Sequence, residues 1–316
     1  MKNQLIIVDG QSTVGKSSIS KGLYMQIAGM EDVNWLHEEC ENHPIRNQEF
    51  EAGDIHTAEG MKRNRIQMLN KWKASRDEIM KSNKRCITEG CFLHSLDRYL
   101  LESIWDEKEI EDFYQQIIEI LRPLNPLIVF LYRPNIKMSY EKAFTARGEW
   151  WKNLILGTPE PYGYFENHEY NGDESIFDGL SFEQEQMKKI YQVLKCDKLM
   201  IDTSKEDWTS YVCELTQKIG YQYRSSVNKE FDPKKYSGTY QIEKGNNLWK
   251  IEANDDGQLY SSLFWPYIPM KYVENDSFEF ISFPVKIMFD ESKDTQQFIV
   301  EGNYDWEYNG KRFIRI

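Results

Sequence analysis

The sequence predicts an α/β fold, a parallel five-stranded sheet with helices on both faces, followed by a smaller antiparallel β-domain. In the first two thirds of the chain, short apolar strands alternate with longer amphipathic stretches, which is typical of parallel sheets with crossover helices. Further along, short segments alternate with period two between Gly, Asn and Asp turns, which is typical of an antiparallel barrel or curled sheet. We therefore divide the chain into residues 1–222, a polar linker at 223–235 and a β-domain at 236–316.

The first predicted strand, Leu5–Val8, leads directly into a glycine-rich segment. Gly10, four free positions, Gly15, Lys16 and Ser17 form a G-x-x-x-x-G-K-[ST] motif. Its glycines let backbone N–H groups point at an anion, and the helix that follows adds its positive N-terminal end. Lys16 then lies on the β- and γ-phosphates and the Ser17 hydroxyl on Mg²⁺. We expect the following residues to bind a nucleoside triphosphate: Gly10, Thr13, Val14, Gly15, Lys16, Ser17 and Ser18.

Carboxylates follow the next two predicted strands. The second strand leads to Glu38 and Glu39, and the third leads to Glu89. Carboxyl ends of parallel strands border the crevice in which ligands bind. We expect Glu38 or Glu39 to be the general base that takes a proton from a substrate hydroxyl, with Asp9 as a third candidate and a solvated acidic turn as the alternative. Glu89 is expected to hold the magnesium ion, directly or through water.

The remaining elements complete the parallel sheet. A fourth strand, Leu127–Leu131, is wholly apolar, as expected for a central strand that is covered on both faces. A fifth strand is predicted at Lys198–Ile201. Helices are predicted at residues 16–28, 57–82, 93–122, 182–194 and 207–219, from apolar residues at helical spacing.

Residues 139–172 differ in composition from the alternating strands and helices around them. They begin helically and then become rich in Gly, Pro, Tyr and Asn. This pattern predicts a mobile lid over the triphosphate, from which Arg147 moves onto the transferring phosphoryl group and neutralises its charge. The alternative is that Arg147 pairs with Glu149 or with a neighbouring helix.

Composition and charge exclude several classes of protein. A net charge of -12 over 316 residues argues against nucleic acid or an anionic membrane as the main partner. Five cysteines without a C-x-x-C pair indicate reduced thiols, and the histidines fit no familiar metal spacing. Without a signal peptide or a long apolar run, we expect a cytoplasmic protein.

The first 220 residues resemble the P-loop kinases of small metabolites, such as thymidylate kinase, deoxynucleoside kinase and, around the loop, chloramphenicol phosphotransferase. The features that carry the resemblance are the phosphate loop, Glu38–Glu39, Glu89, Arg147–Gly148 and Ile201–Asp202–Thr203. The resemblance implies ATP with Mg²⁺, transfer of the γ-phosphate, and Thr203 near the adenine. It also implies a homodimer, although the residues leave the oligomeric state open. The chain departs from the nucleoside kinases after Glu89, where Gly90–Cys91 stands in place of their Asp-Arg-Ser triplet.

The β-domain has a second resemblance. Tyr236–Tyr240 and the Asp256–Leu259 turn are similar to the small lipocalin-like domain that is appended to some serine β-lactamase-like enzymes. A barrel of eight or fewer strands is usually filled by its own side chains, and we expect this here. Its expected role is docking, on the first domain or on a second subunit.

Together these features predict a Mg-ATP-dependent phosphotransferase with a small-molecule phosphate acceptor. Its catalytic residues are Lys16, Glu38 or Glu39, and Arg147. The acceptor stays open between a nucleoside, a nucleotide and an antibiotic-like alcohol. The alternative is a nucleotide-dependent switch or binding protein without turnover. The absence of an Asn-Lys-x-Asp signature favours ATP over GTP.

Overall fold

The chain forms two compact units, the first with two hydrophobic cores and the second with one. The computed structural model describes residues 2–46, 56–95, 106–225, 231–262, 265–290, 296–302 and 308–316. The first unit comprises Met1–Glu38, His43–Glu141 and Asn153–Tyr223. The second unit comprises Glu39–Asn42, Lys142–Lys152 and Arg224–Ile316.

The first unit is built on a five-stranded parallel sheet, as predicted. Its strands are β1 (Leu5–Asp9), β2 (Val33–Leu36), β3 (Arg85–Glu89), β4 (Leu127–Tyr132) and β5 (Asp197–Asp202). Their order across the sheet is β2-β3-β1-β4-β5, and every neighbouring pair is parallel. Strand β1 is buried along its whole length because helices cover both faces of the sheet.

The helices of the chain begin and end as follows: α1 Lys16–Ile27, α2 Ala58–Ser82, α3 Glu107–Leu121, α4 Ile136–Arg147, α5 Glu149–Ile155, α6 Asp173–Val193, α7 Trp208–Lys218 and α8 Pro233–Tyr236. Side chains of β1 alternate between two cores. Leu5 and Ile7 pack with α2, α3 and α6, whereas Ile6 and Val8 pack with α1 and α7. Among the helices in the described residues, none combines the length and the apolar character that crossing a bilayer requires.

Two predicted helices differ from the observed ones. Helix α6 begins at Asp173, nine residues before the predicted start at 182. Two acidic residues in its first turn stabilise its N-terminus, and Phe165 packs against Gly179, a residue that is otherwise unfavourable within a helix. The single helix predicted at 93–122 is wrong. Leu93–Ser95 form a 3-10 helix, and α3 begins only at Glu107, because Asp106 is extended and caps the helix by accepting a hydrogen bond from the Glu109 N–H. Residues 96–105 lie outside the described residues.

The second unit contains a closed eight-stranded antiparallel barrel. Its strands are β6 Gly238–Ile242, β7 Leu248–Ala253, β8 Leu259–Ser261, β9 Ile268–Tyr272, β10 Ser277–Phe280, β11 Val285–Asp290, β12 Gln297–Gly302 and β13 Arg312–Arg315. Seven of them correspond to the segments that the sequence pattern predicts, at 239–243, 248–253, 258–263, 277–281, 285–290, 296–301 and 312–316. No strand was predicted at β9, because Pro269 lies within it. Proline cannot donate to a ladder. The Pro269 carbonyl nevertheless accepts a hydrogen bond from the Ile281 N–H, so the residue fits into the strand.

Aromatic side chains fill the barrel interior. Trp249, Phe280, Phe298 and Phe313 are almost completely buried. The Trp249 ring contacts the other three rings, edge to face in the case of Phe298 and Phe313, and these two phenylalanines stack on each other. Trp249 has the largest of these side chains. Its indole N–H donates a hydrogen bond to the Ser261 hydroxyl. The lipocalin likeness of this barrel stays a prediction.

Candidate functional site

The phosphate loop has the strand–loop–helix context that its motif requires, because it joins the end of β1 to the start of α1. Gly10 and Gly15 have φ angles of 144° and 94°, in the region that favours glycine. A Cβ atom at Gly10 would overlap the Leu131 carbonyl oxygen, and one at Gly15 would overlap the Trp208 ring. Glycine is therefore required at both positions for two reasons: the backbone conformation favours it, and a side chain would clash with a neighbouring residue.

Two side chains support the loop, one from the residue after β5 and one from α4. The Thr203 hydroxyl donates to the Val14 carbonyl at 2.8 Å, and both residues are buried. The Thr13 hydroxyl lies 2.6 Å from the Ser139 hydroxyl. Thr203 therefore acts through the loop backbone, and its predicted contact with an adenine stays a prediction. Ser18 lies in the first turn of α1, where backbone N–H groups have no intrahelical acceptor.

The Lys16 side chain folds back along the loop. It is only 6% exposed, and its Nζ donates to the Gln11 carbonyl at 3.1 Å. The same nitrogen lies 4.0 Å from Glu38 Oε2. The structure thus brings the predicted phosphate-binding lysine and a predicted general base to one place.

Glu89 forms a buried cluster with hydroxyl groups of α1. Its Oε1 accepts from the Ser17 hydroxyl at 2.8 Å, and its Oε2 accepts from the Ser20 hydroxyl at 2.5 Å. His37 Nε2 lies 3.2 Å from Glu89 Oε1. Burial raises the pKa of Glu89, while His37 acts in the opposite direction.

The two residues predicted to hold magnesium fit such an ion. The Ser17 hydroxyl and the Glu89 carboxylate both offer oxygen atoms as metal ligands, and they are hydrogen-bonded to each other. Mg²⁺ prefers oxygen ligands, and in nucleotide sites it binds one or two protein side chains together with phosphates and water. Within the described ranges, no group of three or more His, Cys, Asp or Glu side chains is arranged to hold a metal ion. The magnesium role of this pair stays a prediction.

Asp9, the third candidate for the base, lies beneath the loop. Its Oδ1 accepts from the backbone N–H groups of Gly10 at 2.6 Å and His94 at 3.0 Å, and its Oδ2 accepts from that of Phe92 at 2.9 Å. The side chain is fully buried, and burial raises its pKa to about 6. With its oxygens bonded to three backbone donors, Asp9 is a poorer candidate for a substrate base than the partly exposed Glu38.

Sequence reasoning missed His37, which it interpreted as an isolated histidine without a function. The structure places it next to Glu89, and its ring meets Trp35 edge-on at 5.7 Å between centroids. A signal was present in the sequence. His37 directly follows β2, so it shares a sheet edge with Glu38 and Glu89.

Two predicted catalytic residues belong to the second unit. Arg147 is the last residue of α4, and its guanidinium lies 4.3 Å from the ring centroids of both Trp151 and Trp265. Glu39 belongs to the short segment Glu39–Asn42. The lid, the action of Arg147 on phosphate and the role of Glu39 as a base stay predictions.

Comparisons with known proteins add a likeness of fold. No protein-family model matches the chain, and no curated protein matches it. Among solved structures, a deoxyadenosine kinase from M. mycoides with bound dATP is 16% identical, with a TM-score of 0.39 and coverage of 69% of this chain and 99% of that one. The YorR protein from Bacillus subtilis in complex with phosphorylated GDP is 12% identical, with a TM-score of 0.38 and coverage of 69% and 99%.

A third similar structure is a GTPase from Pyrococcus abyssi in the apo form. It is 13% identical, with a TM-score of 0.25, and the match covers 68% of this chain and 98% of that one. At these sequence identities and TM-scores, similarity to the three structures does not indicate which activity this protein has.

Proposed function

We propose that this protein is a Mg-ATP-dependent phosphotransferase that acts on a small molecule. One observation carries the proposal. Lys16 and Glu38 lie 4.0 Å apart beside the phosphate loop, and Ser17 in the same loop donates to Glu89. A cation for phosphate, a carboxylate for proton removal and an oxygen pair suited to magnesium are therefore next to one another.

Each group has a defined task in this proposal. The backbone N–H groups of Gly10–Ser17 and the Lys16 ammonium bind the β- and γ-phosphates and offset their negative charge. Glu38 accepts the proton of the acceptor hydroxyl while that oxygen attacks the γ-phosphorus. The bond between the γ-phosphorus and the bridging oxygen breaks, and ADP leaves with the electron pair.

Magnesium fits the same arrangement. Ser17 and Glu89 would hold the ion, which would neutralise charge on the β- and γ-phosphates. The Ser20 hydroxyl and His37 hold the Glu89 carboxylate in place. Positioning and charge neutralisation supply most of the rate enhancement in phosphoryl transfer, and this cluster offers both.

The test is a panel of acceptors with MgATP, scored by ADP release, for the wild-type protein and the Glu38→Gln variant. We expect at least one nucleoside, nucleotide or antibiotic-like alcohol to be turned over, and we expect kcat to fall about 10²- to 10⁴-fold in Glu38→Gln. The neutral glutamine keeps the size of the side chain but cannot take the proton.

A matched control is Glu214→Gln, a change on α7 in the first unit. It should leave ADP release unchanged. Binding of MgATP without turnover of any acceptor would contradict the proposal and favour a nucleotide-dependent switch or binding protein.

A further inference from the structure

The loop that follows β3 has an unusual backbone. Gly90 and Cys91 adopt φ angles of 61° and 60° in succession. A left-handed residue other than glycine is uncommon and persists only where its surroundings hold it. The segment Gly90–His94, which we name the β3 loop, is therefore fixed by contacts from elsewhere in the first unit.

One carboxylate supplies two of those contacts. Asp9 accepts hydrogen bonds from the backbone N–H groups of Phe92 and His94, and it also accepts one from Gly10 at the start of the phosphate loop. Hydrogen bonds to a buried carboxylate are charge-assisted and roughly twice as strong as neutral ones. Asp9 thus joins the β3 loop to the phosphate loop.

The β3 loop in turn supports Glu38. A Cβ atom at Gly90 would overlap Glu38 Oε2, so this carboxylate lies directly against the Gly90 backbone. The same oxygen is 4.0 Å from Lys16 Nζ. A shift of the β3 loop would therefore move the surface against which Glu38 rests and change its distance from the lysine.

We propose that Asp9 is a positioning residue, which holds the β3 loop against the phosphate loop and thereby fixes the place of Glu38 beside Lys16. This inference rests on the proposed function, in which Glu38 is the base. Asp9 itself touches no reacting group, since its oxygens are bonded to three backbone donors.

The most informative variant is Asp9→Asn. The amide has the size of the carboxylate, but its NH₂ group faces at least one backbone N–H, so at least one of the three donors loses its acceptor. We expect kcat to fall about 10- to 100-fold, the effect of misplacing a catalytic group by about 1 Å. The Kd for MgATP should change less than about threefold, because the loop amides and Lys16 remain.

A double-mutant cycle with Glu38→Gln separates positioning from a general structural effect. If Asp9 acts through Glu38, Asp9→Asn should have little further effect on kcat in the Glu38→Gln background. An equal loss in both backgrounds, or a loss confined to MgATP affinity, would overturn the inference. Wild-type kcat in Asp9→Asn would overturn it as well.

Gly90→Ala gives a second test that leaves Asp9 intact. The new methyl group would displace Glu38, so kcat should again fall with little change in the Kd for MgATP. Wild-type kcat in Gly90→Ala would count against the inference.

A matched control for Asp9→Asn is Asp106→Asn. Asp106 also accepts a hydrogen bond from a backbone N–H, that of Glu109 at 2.8 Å, but it lies at the exposed N-terminus of α3. The kcat of Asp106→Asn should equal that of the wild type.

Hydrogen exchange keeps this inference distinguishable from the proposed function. In Asp9→Asn, at least one of the Phe92 and His94 amides should exchange at least tenfold faster, because the two bond different oxygens of Asp9 and the asparagine keeps only one oxygen. The Glu109 amide should be unaffected. If the exchange rates of the Phe92 and His94 amides are unchanged, Asp9 does not hold the β3 loop. This conclusion does not depend on whether the protein is active. A wild-type protein that turns over no acceptor would instead overturn the proposed function, and with it the catalytic consequence of Asp9.

Discussion

The two units bury polar groups in opposite ways. In the first unit, Asp9, His37 and Glu89 are buried at the carboxyl ends of neighbouring strands, and Lys16 is buried at the start of α1. In the second unit, the buried polar residues of the described ranges are Ser261, Ser277 and Gln297, none of them charged. Buried charges are costly unless they are paired, and they concentrate where a site needs them. The difference supports the proposal that the chemistry belongs to the first unit, and the barrel interior is packed with apolar side chains.

The largest expected difference between the units concerns their lysines. Lys16→Ala should lower the rate of ADP release about 10³-fold while leaving the fold intact, because it removes the buried cation that we propose binds the phosphates. Lys250→Ala removes an exposed barrel lysine that pairs with Glu252, and it should leave the rate unchanged. Steady-state kinetics and circular dichroism of both variants test this, and wild-type turnover in Lys16→Ala would contradict it.

The second prediction uses the pH dependence of stability. His43 is buried, its Nδ1 accepts from the Ile45 and Arg46 N–H groups, and burial lowers its pKa to about 4. Between about pH 6.5 and 4 the unfolded state binds the proton and the folded state does not. The free energy of unfolding should therefore decrease as the pH falls through this window, by about 3 kcal/mol in total.

Denaturation of the His43→Asn variant checks the sign. The variant lacks this titration, so its stability relative to the wild type should improve on going from pH 7 to pH 4.5. A constant difference for His43→Asn would show that burial does not suppress its protonation.

The smallest predicted effect compares one buried hydroxyl in each unit. Thr203 donates to the Val14 carbonyl in the phosphate loop, and Ser261 accepts from the Trp249 indole in the barrel. Thr203→Val and Ser261→Ala should each lower stability by about 1–2 kcal/mol, since each leaves a buried polar partner without its hydrogen bond. Only Thr203→Val should weaken MgATP binding, by roughly five- to tenfold, because only Thr203 supports the phosphate loop.

Thermal unfolding and calorimetric titration measure the two quantities separately. If Thr203→Val and Ser261→Ala change the affinity for MgATP equally, the proposal that only the first unit binds the nucleotide is contradicted.

The sequence predicted most of the fold because its signals were local. The five parallel strands follow apolar runs, and the phosphate loop is recognisable from Gly10, Gly15, Lys16 and Ser17 alone. Strand β9 was missed because a proline within a segment is a local sign against a strand, and only the packed barrel shows how Pro269 fits.

The site was predicted less completely because its contacts join distant parts of the chain. Phe92 and His94 lie 83 and 85 residues beyond Asp9, and no spacing rule connects them. The contact between His37 and Glu89 likewise depends on β2 and β3 being neighbours in the sheet. Motif residues were therefore found, whereas the groups that hold them were not.

Transfer of label from [γ-³²P]ATP tests the central claim most directly. With MgATP and a panel of hydroxyl-bearing small molecules, the wild-type protein should move the label to an acceptor. Lys16→Ala and Glu38→Gln should reduce that transfer by at least about 10²-fold. Label that stays on ATP in the presence of every acceptor, or transfer by Lys16→Ala at the wild-type rate, would contradict a phosphotransferase site at Gly10–Ser17.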